Sequence, residues 1–282
     1  MTQPTSSVPY FARLMRQLAK DDAQIKAAFG KHVHWGYFED PAQGHVSASD
    51  YGHAAEAMCL KLLDLAEITN GQRILDVGCG FGGTISCLNR HYSQVELIGL
   101  NINSQQLRHA AAWIEPSPNN LVHFIAADAA ELPFADSSID LALCVESVFH
   151  FDRALFFAEV SRVLRKGGSL TLSDFLLNQR AANFMEGINL GEDEAVRSAY
   201  GSIDISWTLD RYKELAASCD LSLTHTEDIS PNTLPTYTFL DQCVEGWEDE
   251  TEAALFKRAT NLLEKATRRG FIGYQLMRFE LK

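Results

Sequence analysis

Between residues 73 and 175 the chain alternates short apolar runs with segments of helical period, and this alternation restricts its fold more than any other feature. The runs are RILDV, VELIGLNI, LVHFIAAD, IDLALCV and GGSLTLSDF, each of strand length. Helical periods separate them over 83–92, 104–113 and about 152–164, with Ser104 expected to cap the second. Strands joined through helices return to the same edge of a sheet and therefore run parallel. LSLTHTEDI and FIGYQLMRFELK add two more strands. The expected fold is α/β: a Rossmann-like, doubly wound, mostly parallel seven-stranded sheet with helices on both faces.

Around this unit the pattern changes. Residues 8–30 read as a helix, GKHVHWGYFEDPAQGH breaks the period, and 51–68 form an amphipathic helix. The expected organisation is an N-terminal helical cap over 1–50 and a Rossmann-like domain over 51–282. Within the latter, 176–206 and about 231–250 are expected to form a lid after the fifth strand. Phe184, Met185, Tyr200, Trp207, Tyr237 and Phe239 make the region 176–250 suitable for an organic acceptor with apolar surface.

The first strand ends in ILDVGCGFGGT, with glycine at 78, 80, 82 and 83. Such a turn lies at the carboxyl edge of the sheet, where open α/β folds bind ligands. Gly78, Gly80 and Gly83 also match a dinucleotide fingerprint. Asp76 argues against that reading, because a pyrophosphate gains nothing from a carboxylate two residues before the first glycine. A ligand bearing an ammonium and a sulfonium does gain from one.

Charge and cysteine use narrow the partners. The net charge is −13, from 24 basic and 37 acidic residues, and no dense Lys/Arg block occurs. Nucleic acid and anionic membrane surfaces are therefore not expected. The six cysteines form no C-x-x-C pair and read as reduced thiols. No run approaches a membrane span, so a soluble, cytoplasmic protein is expected. His32 and His34 stand two residues apart without an acid or cysteine cluster to complete a metal site, and no metal is expected.

Four segments in order carry a resemblance. LDVGCGFG, IGLNINSQQL, AADAAELPFADSSIDLALCVESVFHF and EVSRVLRKGGSLTLSDF are together similar to the class I S-adenosylmethionine-dependent methyltransferases over residues 70–175. HWGYFED and the long C-terminal half resemble the small-molecule branch, which includes tocopherol, phosphoethanolamine and natural-product methyltransferases. The resemblance implies S-adenosyl-L-methionine as cofactor and S-adenosyl-L-homocysteine as product. It implies that Asp76, Gly78 and Gly80 pass under the methionine part of the cofactor. Asn101, where the family often has an acid, Ile102 and Gln106 are expected at the ribose. Asp128 is expected to accept from the adenine amino group and Ala129 N–H to meet the ring, with Leu132 or Phe134 against its face. Tyr37 is expected to reach the methionine carboxylate, and His34, Trp35 and Tyr37 to roof the site.

Glu146 and His150 follow the fourth strand, where an acceptor would face the methyl group. Both are candidate catalytic residues, and Glu146 is also a candidate cofactor contact. A histidine there has a pKa suited to removing a proton from a hydroxyl or amine. The expected function is methyl transfer to an O, N or C nucleophile of a small, partly apolar molecule, in secondary metabolism. A nicotinamide-dependent oxidoreductase and a non-catalytic ligand-binding relative are the alternatives. Asn101 weighs against the first of these, since an acid would be expected at the end of the second strand.

Overall fold

The structure, a computed structural model, describes residues 9–182, 190–245, 247 and 249–282. Phe184 and Met185 lie outside the described residues. Helix α1 (Pro9–Ala19) and helix α2 (Ala23–Phe29) replace the single helix expected over 8–30. Asp21 adopts φ +62° between them, and the Asp22 side chain accepts from the N–H groups of Gln24 and Ile25. A residue with that side chain ends one helix and caps the next.

Helix α3 (Ala48–Leu65) starts at Ser47, which exchanges hydrogen bonds with Asp50 in a capping box. The alternation then follows: β1 (Arg73–Val77), α4 (Gly83–His91), β2 (Glu96–Asn101), α5 (Ser104–Trp113), β3 (Leu121–Ala126), β4 (Ile139–Val145), α6 (Arg153–Val163) and β5 (Leu164–Leu177). The cap of α5 is Asn103 rather than Ser104, because its carboxamide oxygen takes the N–H groups of Gln105 and Gln106. After β5 come α7 (Gln179–Ala182), α8 (Glu194–Tyr200), α9 (Leu209–Ser218), β6 (Leu221–Asp228), α10 (Ser230–Cys243), α11 (Glu250–Arg268) and β7 (Ile272–Leu281). Helix α10 was hidden in the sequence by Pro231 and Pro235, the latter inside the helix.

The strands form one seven-stranded sheet in the order β3-β2-β1-β4-β5-β7-β6. β1 to β5 are parallel, and β7 runs antiparallel to both of its neighbours. Successive side chains point to opposite faces. Ile74, Leu97, Leu141 and Leu143 face a core shared with Met58 and Leu62 of α3 and Ile85 of α4. Leu75, Val77, Ile98 and Leu100 face a second core built on Phe156 and Phe157 of α6 and Tyr212 of α9. The strand order reverses between β1 and β4, which opens a crevice at their carboxyl ends. No helix among the described residues is long and apolar enough to cross a membrane.

Candidate active site

At the end of β1 the chain turns sharply beneath that crevice. Gly78 has φ +78°, and a Cβ there would lie 2.6 Å from the Cβ of Ser147. Ser147 in turn donates from Oγ to the carbonyl of Val77 at 2.9 Å. Glycine at 78 is thus needed so that the segments after β1 and β4 can touch. Gly80 differs: it has φ +53°, but a Cβ there would meet nothing within 4 Å. Its backbone faces open space, as a surface for a ligand must.

That space is a cleft of about 800 Å³ lined by Asp76, Gly78, Cys79, Gly80, Phe81, Asn101, Ile102 and Gln106. Asp76 is only 1% exposed, and its Oδ2 has no hydrogen-bond partner. Burial drives its carboxyl up to about 7, with nearby His32 pulling the other way. A buried carboxylate oxygen left without a partner in a cleft wall fits a ligand that brings positive charge. Asn101 Nδ2 donates to Gln106 Oε1 at 2.7 Å, while Asn101 Oδ1 accepts from the Asn103 N–H at 3.1 Å. The end of β2 and the first turn of α5 are locked together and present amide groups to the cleft.

Beside it lies a second cavity of about 1110 Å³, walled by Leu14, Phe29, Trp35, Phe149, Phe175, Tyr200, Ile203, Leu240 and Phe256 among others. Tyr10, Val33, Glu146 and His150 line both spaces. Glu146 sits just past β4 at φ +50°, a strained conformation for its side chain. Its Oε2 accepts from the Trp35 N–H at 2.9 Å and from the Tyr274 hydroxyl at 2.7 Å. Burial nevertheless raises its carboxyl to about 8.

His150 Nδ1 stands 3.1 Å from the Ser202 carbonyl. A carbonyl can only accept, so Nδ1 carries the proton and Nε2 keeps its lone pair. Burial lowers the pKa of this imidazole. The segment that holds it is anchored from below: buried Arg153 donates to the carbonyl of Asp204 at 2.7 Å and pairs with Asp174 at 2.9 Å. Sequence reading did not single out Arg153, since a lone basic residue at a helix start gives no sign of burial.

Several expected contacts lie elsewhere. Tyr37 does not line the cleft; its N–H donates to Ala54 and its ring lies 5.1 Å from the ammonium of Lys61. His34 lines the cleft and Trp35 the apolar cavity, so the expected roof is divided between two spaces. Aromatic cover for the cleft comes from Tyr10 and Phe11 of α1, with Phe81 and Phe151. Asp128 is exposed, and its Oδ1 accepts from the Ala130 N–H at 2.9 Å; neither it nor Ala129 lines the cleft. Leu132 belongs to the core under the sheet, and Phe134 lies near Arg73.

A family model described as a methyltransferase domain matches residues 75–172. The methyltransferase GfsG of Streptomyces halstedii is 32% identical over 218 residues, covering 75% of this chain and 73% of that one. The chain belongs to the S-adenosylmethionine-dependent methyltransferases. This methyltransferase is also 28% identical to the 27-O-demethylrifamycin SV methyltransferase of Amycolatopsis mediterranei, with 98% of each chain covered. Its fold is that of the cyclopropane synthase MmaA2 from Mycobacterium tuberculosis, at a TM-score of 0.76 and 18% identity, covering 98% of this methyltransferase and 100% of that chain. It uses S-adenosyl-L-methionine to methylate a small molecule, and the nicotinamide and non-catalytic alternatives fall away.

Proposed function

We propose that this methyltransferase O-methylates a largely apolar natural product held in the cavity of about 1110 Å³, with His150 as the base. The observation that carries this reading is the junction itself. Two spaces, one polar and one apolar, meet at Glu146 and His150. When bound, the cofactor supplies an electrophilic methyl group on a positively charged sulfur.

The chain's own part is position and proton handling. Asp76, Gly78 and Gly80 would hold the methionine portion, and Asn101, Ile102 and Gln106 the ribose. Asp128 and Ala129 are left for the outer, adenine end. The uncovered Nε2 of His150 would take the proton of an acceptor hydroxyl, while its Nδ1–H stays on Ser202. Glu146 would fix the junction by holding Trp35 and Tyr274. Residues 9–50 act as the described part of the cap, and 176–182, 190–206, 231–245, 247 and 249–250 as the described parts of the lid.

The relative named for 27-O-demethylrifamycin SV supports an oxygen acceptor on a natural product. The test is incubation with methyl-labelled cofactor and a panel of apolar alcohols, phenols and amines of graded size. Label should appear on oxygen and increase with apolar bulk. Transfer confined to small charged amines would overturn the proposal.

A further inference from the structure

Behind the inner wall of the cofactor cleft, three segments far apart in sequence bring four metal-binding side chains together. His32 comes from the loop after α2, Glu56 and Cys59 from one face of α3, and Cys87 from α4. One ligand atom from each of His32, Cys59 and Cys87 falls within 4.8 Å of the others, and all three residues are buried. Glu56 joins them: its Oε2 is 3.0 Å from His32 Nε2 and its Oε1 is 3.2 Å from Cys87 Sγ.

A chain of polar contacts runs from the Trp35 carbonyl through two imidazoles to Glu56. His34 Nδ1 faces the carbonyl of Trp35 at 3.0 Å and must carry a hydrogen to bond there. Its Nε2 lies 3.0 Å from His32 Nδ1, so one hydrogen is shared between the two rings. His32 Nε2 faces the Glu56 carboxylate at 3.0 Å, with Cys87 Sγ 3.9 Å away. Nitrogen, sulfur and oxygen ligand atoms thus converge on one point, with the Arg90 guanidinium donating to Glu56 and, at 3.5 Å, to Cys87 Sγ.

We propose that His32, Cys59 and Cys87, with Glu56 as fourth ligand, form a structural binding site for a divalent metal of the zinc class. Mixed thiolate, imidazole and carboxylate donors suit a tetrahedral, borderline-soft ion. Binding releases the two thiol protons to solvent and leaves His32 neutral, with Nε2 on the metal and Nδ1–H on His34. The expectation of no metal rested on sequence spacing. Cys59 and Cys87 are 28 positions apart but adjacent across the α3–α4 packing. His32 also packs against Gly83 at the start of α4, where a Cβ would lie 2.6 Å from the imidazole Cε1. The metal would therefore pin the segment 31–34, one wall of the cofactor cleft, to the body of the domain.

The test uses the full chain, stripped with chelator and reloaded with cobalt(II) alone. One equivalent should bind, with thiolate-to-cobalt charge transfer in the near ultraviolet and the visible bands of a tetrahedral ion. Cys59→Ser and Cys87→Ser should each weaken cobalt affinity by about tenfold or more and reduce the charge-transfer band, with circular dichroism confirming that each variant is folded. Cys219→Ser, on a half-buried thiol remote from the cluster, should leave the spectrum intact. The proposal is overturned if the folded chain takes up no stoichiometric cobalt or zinc, or if nitrogen NMR shows His32 as an imidazolium in metal-loaded buffer. An unchanged band in both cysteine variants would overturn it too. Each readout is made without cofactor or acceptor, so failure here is separate from failure of the O-methylation reading.

Discussion

The cofactor cleft and the apolar cavity share a wall but were built differently. The cleft is made at strand ends: Asp76 near the end of β1 and Gly80 just past it, Asn101 closing β2, Glu146 after β4, each placed by a parallel ladder. Its chemistry is polar and much of it is backbone. The cavity draws on α1, α2, the loop before α3, α8, α10 and α11, and its lining is almost all hydrocarbon. A ligand common to a whole family can be met by the sheet edge. A ligand peculiar to one member has to be met by surfaces that vary without disturbing the sheet. The two spaces should therefore respond to substitution independently, except where they join.

The junction offers the largest effect. His150→Ala should lower kcat by roughly 10²–10⁴ while changing cofactor Kd by no more than about twofold. The pH profile identifies the base. If His150 accepts the proton, rate should be lost only as pH falls through its depressed pKa, below the ordinary histidine range. If Glu146 is the base instead, the loss should begin as pH falls through about 8. Glu146→Gln with an unaltered acid limb would favour His150. An acid limb that survives His150→Ala would reject it.

Asp76 tests the cleft alone. Asp76→Asn should weaken cofactor binding on the order of ten- to a hundredfold, the scale of a hydrogen bond to a charged group. The sign of the pH effect follows from a carboxyl raised to about 7 by burial. The protonated form is favoured by folding, so its contribution to stability is largest at low pH and lost as pH rises through about 7. A cationic ligand needs the ionised form. Cofactor affinity should thus rise with pH up to about 7 and then level off, with proton release seen by calorimetry below that point. The Asn variant should show neither slope nor release at that position. Persistence of both would move the effect to Glu146.

Leu14 tests the cavity alone. It is buried on α1 and lines the apolar space but not the cleft. Leu14→Ala removes about three carbon groups, so acceptor KM should rise roughly five- to thirtyfold at unchanged cofactor Kd. Equal weakening of both ligands would mean that α1 closes over the two spaces as one body, through Tyr10 and Phe11.

This division also explains what the chain disclosed before folding. β1 and β4 were legible to the residue because a buried parallel strand is a continuous apolar run bounded by breakers. Asp76, Gly80, Asn101 and Gln106, which line the cleft, were named through the resemblance of the motifs at those strand ends. Tyr10, Phe11, Phe81 and Ser147 were not, since an aromatic on a helix or a serine after a strand has no offset that separates ligand contact from packing. The His32, Glu56, Cys59 and Cys87 cluster was invisible for a further reason. Its members meet only through α3 packing beside α4, which no local pattern encodes. Helix α10 was missed because proline is read as a breaker, although Pro235 is buried within the helix.

The smallest effect falls on the residue whose expected role fits the structure least. Asp128 was read as the partner of the adenine amino group, yet it is exposed and one oxygen already serves its own turn. A hydrogen bond made in open solvent contributes about 1 kcal/mol or less, because water competes for both partners. Asp128→Ala should therefore reduce cofactor affinity by about fivefold or less, measured by calorimetry with S-adenosylhomocysteine. Asn101→Ala, which breaks a buried amide pair, should cost more. A loss at Asp128 equal to that at Asp76 would show that β3 and its following turn close onto the adenine when cofactor binds. The cleft would then be shaped by its ligand at the outer end and preformed only at the inner one.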